Sequence, residues 1–155
     1  MPIIEYDTYK QKLIALGPRL EKLAAALDLE GARREVEELE EKTGDPNFWN
    51  DVAASQKVLQ RTKQLKGKLE NHAKLTGQWE DLTTLVEMAA EEEDESLLPE
   101  ITEGYGQLES ALEEASLATL LTGEYDANNA ILTLHAGAGG TEAQDWAQML
   151  YRMYT

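Results

Sequence analysis

The sequence predicts a mainly α-helical protein. We expect an antiparallel helical bundle with a coiled-coil hairpin over residues 1–122, then the first strand and helix of an incomplete α+β domain over residues 123–155. Two observations support this division. Before residue 122, apolar residues recur at steps of three and four, which places them on one side of a helix. After residue 123 the period changes to two, which is typical of a strand.

Two helices are predicted before residue 44. Gly17 and Pro18 interrupt the leucine stripe of the first, so that it either bends there or divides in two, because proline kinks a helix interior. The second helix resumes in a new phase after Asp28, a candidate N-cap, and ends at the Gly44–Pro46 turn. The stripe of the first helix consists of Leu13, Leu16, Leu20, Leu23 and Leu27.

Phe48 and Trp49 lie in the connection that follows. Two adjacent aromatic side chains can form a binding hot spot for a partner. We favour a plug that closes one end of the bundle, because aromatic side chains gain most by burying their large area. Asn50 or Asp51 is expected to cap the next helix.

The longest predicted helix has a heptad pattern. Its companion row shifts by one position between Thr76 and Leu82, and threonines and a histidine interrupt the apolar seam. Heptads sustained over this length predict coiled-coil packing. The first row consists of Val58, Leu65, His72, Trp79 and Val86, and the second of Thr62, Leu69, Thr76, Leu82 and Ala89.

The acidic residues 91–95 predict an exposed turn, since like charges repel each other. A further helix follows, with Pro99 in its first turn, where proline is tolerated. Because the turn is short, this helix and the heptad helix are expected to form an antiparallel hairpin within a helical bundle that has one long arm. The apolar stripe of the helix after the acidic turn is Leu98, Ile101, Tyr105, Leu108, Leu112 and Ala115.

Residues 130–136 alternate between apolar and mixed faces and predict a strand, which the glycine loop 137–140 follows. Thr141 and Gln144 have the spacing of a capping box at the start of a helix. A single strand needs neighbours for stability, so the second domain is expected to be incomplete in this chain. The predicted apolar face of the last helix is Trp146, Met149, Leu150 and Met153.

The chain is strongly acidic, with 30 acidic and 14 basic residues and a formal net charge of −16. Such a surface repels phosphate backbones and suits a basic protein partner or solubility. The absence of cysteine excludes disulfides, thiolate metal sites and a cysteine nucleophile. No apolar run approaches the roughly 20 residues that span a bilayer, and no signal peptide is recognised. We therefore expect a soluble cytoplasmic protein with no membrane contact.

No catalytic, cofactor-binding or metal-ligating residue is predicted. The glycine loop lacks the Lys-Ser/Thr of a Walker A motif and the spacing of a dinucleotide fingerprint. Glu142 directly behind it would oppose an anion, so we interpret Gly137, Gly139 and Gly140 as a tight structural turn. His72 is expected to be a hydrogen-bonded core histidine, and His135 a solvated or sheet-pairing residue. No small-molecule substrate and no cofactor are expected.

Three stretches carry a resemblance to a known family: residues 123–126 (Gly-Glu-Tyr-Asp), residues 136–147 (Ala-Gly-Ala-Gly-Gly-Thr-Glu-Ala-Gln-Asp-Trp-Ala) and residues 149–154 (Met-Leu-Tyr-Arg-Met-Tyr). They closely resemble bacterial peptide chain release factor 2, and residues 45–50 (Asp-Pro-Asn-Phe-Trp-Asn) are also similar to that family. The Thr-Glu-Ala-Gln-Asp-Trp hexapeptide favours factor 2, because release factor 1 usually departs from it.

The resemblance implies a translation termination factor whose first domain is a helical bundle facing the base of the large-subunit stalk. In that family, a later domain recognises UAA and UGA with a Ser-Pro-Phe tripeptide. Another carries a Gly-Gly-Gln loop that promotes peptidyl-tRNA hydrolysis in the ribosomal centre. Neither tripeptide occurs in this chain. The resemblance therefore implies an N-terminal fragment without an active site, whose contacts with mRNA and rRNA belong to segments that it lacks.

Two alternatives remain open. One is a natural truncated paralogue that binds at the ribosomal stalk base and competes with full-length factors. The other is a small enzyme that holds a phosphate in the glycine loop.

Overall fold

The computed structural model describes residues 2–120 and 131–154 and confirms a mainly α-helical fold. The chain divides into two compact units, Met1–Leu120 and Leu121–Thr155. The predicted boundary between residues 122 and 123 lies outside the described residues. The helices are α1 (Pro2–Ala26), α2 (Leu29–Thr43), α3 (Val52–Glu92), α4 (Leu98–Ala118) and α5 (Gly140–Tyr154), with short 3-10 helices at Pro46–Asn50 and Glu95–Leu97.

Helices α1, α3 and α4 form a three-helix bundle. α1 is antiparallel to α3, because Tyr6 donates a hydrogen bond to the carbonyl of Asp94 and the Trp79 indole donates to the carbonyl of Leu13. α4 reverses against α3 and therefore runs parallel to α1, which is consistent with the hydrogen bond from Tyr9 to Thr102. The predicted hairpin is confirmed. The core comprises Tyr6, Leu13, Leu16, Leu20, Leu23, Leu75, Leu82, Val86, Ala89, Ile101, Leu108 and Leu112.

Helix α1 continues through Pro18 as one element. Proline has no N–H to donate within the helix, which weakens the backbone ladder around it. The Leu13 carbonyl in this turn accepts a hydrogen bond of 2.7 Å from Nε1 of Trp79. A Cβ atom at Gly17 would lie 3.5 Å from the same ring, which is an ordinary contact distance, so the ring packs closely on this turn without requiring glycine there. The indole therefore packs against the turn before Pro18, whereas the carbonyl that loses its helical donor is that of Ile14, four residues before the proline.

Helix α2 packs on the first half of α3 in a second, smaller cluster. Asp28 caps α2 as predicted, with its carboxylate accepting from the Gly31 N–H at 3.3 Å. Asp51 caps α3, accepting from the Ala54 N–H at 3.0 Å. Gly44 ends α2 with a right-handed φ of −76°. The cluster contains Ala32, Val36, Leu39 and Leu65, with Val58 and Leu69 against it.

The heptad register of α3 shifts earlier than predicted. Leu75 is buried, whereas the predicted core residue Thr76 is only partly so, and its hydroxyl has no hydrogen-bond partner in the described part of the chain. From Leu75 onward, Leu82 and Ala89 follow at intervals of seven. The shift therefore falls between Leu69 and Leu75, where α3 passes from the α2 cluster to the three-helix bundle.

The acidic turn between α3 and α4 is ordered by its own backbone. Glu93 takes a left-handed conformation with a φ of 53°, and its N–H bonds the Ala89 carbonyl. The Asp94 carboxylate accepts from the Ser96 N–H at 2.9 Å, and hydrogen bonding to Ser96 lowers the pKa of that carboxyl. Pro99 lies in the first turn of α4, as predicted.

The second unit departs from the prediction at its predicted strand. Residues 131–137 have no regular secondary structure, so the strand is wrong over residues 131–136, and Ala130 lies outside the described residues. A strand requires a hydrogen-bonded neighbour, and the described residues supply none. Helix α5 begins at Gly140, so Thr141 lies inside it rather than at the predicted N-cap position. Its predicted apolar side chains are poorly covered: Trp146 is 61%, Met149 51% and Met153 64% exposed.

Candidate interaction surfaces

The glycine loop before α5 is shaped by its backbone. Gly140 has a φ of 64°, a conformation that glycine adopts without the Cβ penalty. A Cβ atom at Gly139 would lie 2.9 Å from Cβ of Ala143. Gly137 has no atom within 4 Å of such a position. The backbone geometry therefore favours glycine at Gly139 and Gly140, which agrees with a structural role for this turn.

A groove of about 380 Å³ lies beside this loop, within the second unit. Glu142 lines it, as do the exposed His135 and the ring of Trp146. Among the described residues that line the groove, none is lysine or arginine. A bound phosphate would meet a carboxylate there without a cationic side chain, so this geometry gives no support to the phosphate-binding alternative.

His72 lies half-buried on α3, where its Nε2 atom is 3.1 Å from the Leu20 carbonyl of α1. Because a carbonyl only accepts, Nε2 carries the proton in this contact. The predicted core role of His72 is confirmed. Over residues 2–120 and 131–154, no three His, Asp or Glu side chains are grouped to hold a metal ion. In the same residues, no helix combines the length and apolar composition needed to cross a bilayer.

Phe48 and Trp49 lie on the 3-10 helix that joins α2 to α3. Their rings meet edge to face, with centroids 5.0 Å apart and an interplanar angle of 89°. Phe48 is half-buried, but Trp49 is 56% exposed, so the predicted plug is wrong for Trp49. The adjoining cluster contains side chains of α2 and α3 alone, and no third helix in it covers the indole.

Charge divides sharply along the first unit. Residues 52–79 of α3 contain six lysines and arginines and one glutamate, a net charge of +5. Residues 80–118, which complete α3 and form α4, contain thirteen aspartates and glutamates and no basic residue. The net charge of −16 for the whole chain hides this division, which becomes visible when charge is counted helix by helix.

The acidic half contains a groove between α3 and α4 of about 490 Å³. Apolar side chains of Leu82, Leu85 and Leu108 line it, and the carboxylates of Asp81, Glu100 and Glu103 surround them. The groove borders Gly104, where a Cβ atom would lie 2.9 Å from Cδ1 of Leu82. An apolar floor with a negative rim is complementary to an apolar side chain flanked by lysine or arginine.

The basic half is partly neutralised by α2. Arg61 donates to both carboxylate oxygens of Glu35, at 2.7 and 3.0 Å, and Lys66 pairs with Glu40. The hydrogen bond from Arg61 lowers the pKa of Glu35, and the bond to Glu40 raises the pKa of Lys66. Both pairs are exposed, so each contributes little to stability.

Comparison with known proteins agrees with the resemblance found in the motifs. The PCRF domain model matches residues 32–155. This chain belongs to the PCRF domain family. It is 39% identical over 151 residues to peptide chain release factor 2 of Staphylococcus epidermidis, 38% over 152 to that of Lactiplantibacillus plantarum and 40% over 153 to that of Clostridium perfringens.

These alignments cover 97%, 98% and 99% of this PCRF-domain chain. They cover 41%, 40% and 42% of the respective relatives. The chain therefore spans about two fifths of the length of the factors that it matches.

Proposed function

We propose that this chain is the helical part of a translation termination factor that directs peptide release at UAA and UGA stop codons on the ribosome. The observation that carries this proposal is the similarity to release factor 2 over nearly the whole chain, together with the PCRF domain match. In this proposal the codon is read, and hydrolysis promoted, by Ser-Pro-Phe and Gly-Gly-Gln segments that the chain does not contain.

The proposed role of the acidic half of the bundle is to contact the base of the large-subunit stalk. The groove between α3 and α4 supports this role, because its leucine floor and its carboxylate rim fit a basic protein surface. Thirteen acidic side chains without a basic one would also speed the encounter with such a partner.

A chimera tests the proposal. In release factor 2 of Clostridium perfringens, the segment that aligns with this chain is replaced by the chain itself. Peptide release is then measured on ribosomes programmed with UAA, UGA or UAG. We expect release at UAA and UGA and none at UAG. A folded, ribosome-bound chimera that releases no peptide at UGA would contradict the proposal.

Variants of the chimera test the stalk contact separately. Asp81→Asn, Glu100→Gln and Glu103→Gln together remove the negative rim and leave the leucine floor. We expect a higher KM for ribosomes with little change in kcat, because binding is lost and chemistry is not. The matched control is Glu37→Gln, Glu38→Gln and Glu41→Gln on α2, which removes the same charge away from the groove. An equal rise in KM in both variants would exclude the groove.

By itself, the 155-residue chain is expected to release no peptide on UGA-programmed ribosomes, because it lacks the Gly-Gly-Gln segment. The second candidate function is a natural short paralogue that occupies the stalk base and competes with full-length factors. The groove between α3 and α4 motivates it, because a competitor would use the same proposed stalk contact. The intact mass of the native protein discriminates the two: a mass near 17.3 kDa favours the competitor, and a much larger mass favours the termination factor.

A further inference from the structure

The basic segment of α3, residues 52–79, lies outside the groove that is proposed to contact the stalk. Its six basic side chains, on residues 57–74, are all exposed. They occur in a chain whose net charge is −16, and one glutamate, Glu70, accompanies them on residues 52–79. Such a local excess of positive charge, against the average of the chain, calls for an anionic partner.

Helical spacing arranges four of these lysines in two rows. Lys57 and Lys68 are separated by eleven residues, as are Lys63 and Lys74, and eleven residues make about three turns of helix. The members of each pair therefore lie on the same side of α3, about 16 Å apart along its axis. Lys57, Lys63 and Lys68 lie on the part of α3 that packs on α2, and Lys74 lies where α3 begins to pack on α1.

The four lysines are free of ion pairs in the described part of the chain. Arg61 and Lys66 are engaged by Glu35 and Glu40, whereas no such bridge involves Lys57, Lys63, Lys68 or Lys74. After these two ion pairs the segment 52–79 keeps a net charge of about +3, because Glu70 offsets one of the four lysines.

The acidic half of the bundle does not cancel this surface. α3 has 41 residues and is about 60 Å long, at 1.5 Å per residue. Glu80 is the first acidic residue of the acidic half, and Lys57, Lys63 and Lys68 lie about 35, 26 and 18 Å before it along the axis, whereas Lys74 lies only about 9 Å before it. The Debye length at physiological ionic strength is about 8 Å, so the first three lysines are screened from the acidic half and Lys74 lies at its edge.

We propose that Lys57, Lys63, Lys68 and Lys74 form a cationic face that binds the phosphate backbone of structured RNA. The surface between the two rows carries exposed Gln60, Gln64 and Asn71. It therefore lacks the aromatic or apolar anchor that protein interfaces use. Lysine and amide side chains are suited to phosphate and sugar contacts, which position a protein without reading sequence.

RNA is the chosen polyanion because the proposed function places the chain on the ribosome, and the inference rests on that function in this respect. The test uses protein-free RNA and no release assay. A failure to bind RNA therefore leaves the chimera experiment unaffected, and a failure of the chimera leaves RNA binding measurable.

The experiment measures the anisotropy of a fluorescein-labelled RNA hairpin of 20 base pairs, titrated with the 155-residue chain between 50 and 200 mM KCl. Four phosphate contacts predict a slope of about −3.6 in log K against log salt, hence a loss of about 10²-fold over this range. A slope near zero, or no binding at 50 mM, would overturn the proposal.

Two variants of equal charge locate the face. Lys57→Gln, Lys63→Gln and Lys74→Gln are expected to bring the slope to about −0.9 and to leave only a three- to fourfold salt effect. Lys10→Gln, Lys22→Gln and Arg152→Gln lose the same three charges elsewhere and are expected to bind as the unmodified chain does. Equal losses in both variants would reduce the effect to net charge and overturn the assignment. Circular dichroism verifies that both variants are folded.

A third variant acts in the opposite direction. Glu35→Gln with Glu40→Gln releases Arg61 and Lys66 from their ion pairs. Binding is expected to tighten, and the salt slope to steepen by up to about two contacts. If neither this variant nor the triple lysine variant changes the salt slope of the unmodified chain, this face does not contact the RNA.

Discussion

The two halves of α3 belong to one continuous helix but differ in packing and in charge. The second half lies between α1 and α4, in a core whose central side chains are fully buried. The first half has α2 against one side and leaves Trp49 and Val52 exposed at its end. It is basic, whereas the second half is acidic. A single long helix therefore joins two parts that differ in the depth of their core and in the sign of their charge.

The largest expected difference concerns the two cores. Leu112→Ala in the three-helix bundle is expected to lower the free energy of unfolding by about 4 kcal/mol, because the cavity has packed helices on every side. Leu65→Ala in the α2 cluster is expected to cost about 3 kcal/mol, since the thinner cluster can relax into the space. Urea unfolding followed by circular dichroism measures both.

Leu59→Ala is the control for these substitutions, because Leu59 is 44% exposed and its loss should cost less than about 1 kcal/mol. A larger cost for Leu65→Ala than for Leu112→Ala would show that the α2 arm, and not the bundle, dominates stability.

Two helical glycines sharpen the same comparison. Gly67 lies in the basic half with no atom within 4 Å of a Cβ position, so Gly67→Ala is expected to stabilise the protein by about 1 kcal/mol. Gly104 faces Leu82 in the bundle, where a Cβ atom would lie at 2.9 Å. The free energy of unfolding of Gly104→Ala is therefore expected to be about 1–2 kcal/mol lower than that of Gly67→Ala, as measured by thermal unfolding. Equal effects would mean that the bundle is loosely packed at Leu82.

The first turn of α3 is stabilised by its N-cap residue, Asp51. Asp51→Ala removes the carboxylate that accepts from the Ala54 N–H and is expected to cost about 1 kcal/mol. Hydrogen exchange should accelerate in the first turn of α3 and remain unchanged around Val86. Faster exchange at Val86 would contradict the separation of arm and core.

The smallest expected effect is the pH dependence of the stability that the Glu35–Arg61 ion pair contributes between α2 and α3. The pKa of Glu35 is lowered by the hydrogen bond from Arg61, so the folded state binds this proton less readily than the unfolded state. The contribution is present in full above the ordinary value of 4.5 and is lost as the pH falls through the lowered pKa of the folded state. Comparing the unmodified chain with Glu35→Gln should show a difference in stability at pH 6 that shrinks as the pH is lowered to 3.

Much of the first unit follows from local sequence. The leucine spacing, Asp28, Asp51 and Pro99 carry their own physical signals, because stripes, caps and first-turn prolines act within a few residues. The register shift at Leu75 was misplaced, since it depends on where α3 changes its packing partner. The exposure of Trp49 was missed for a related reason: burial depends on whether a third helix arrives, and the loop sequence does not encode that.

The second unit shows the opposite limit. Alternation over residues 131–136 is a strand signal, but a strand exists only when another strand pairs with it. Gly139 and Gly140 were correctly interpreted as turn residues, because positive φ and close contact with Ala143 are local demands. The cationic face was missed because the strongly acidic total concealed a basic segment.

The most direct measurement of the central claim is the rate of peptide release at UGA by the Clostridium perfringens factor carrying this chain in place of its aligned segment. We expect the chimera to release peptide at UGA and UAA, with a KM that depends on Asp81, Glu100 and Glu103. A chimera that folds and binds the ribosome but releases no peptide at either codon would contradict the assignment of this chain to translation termination.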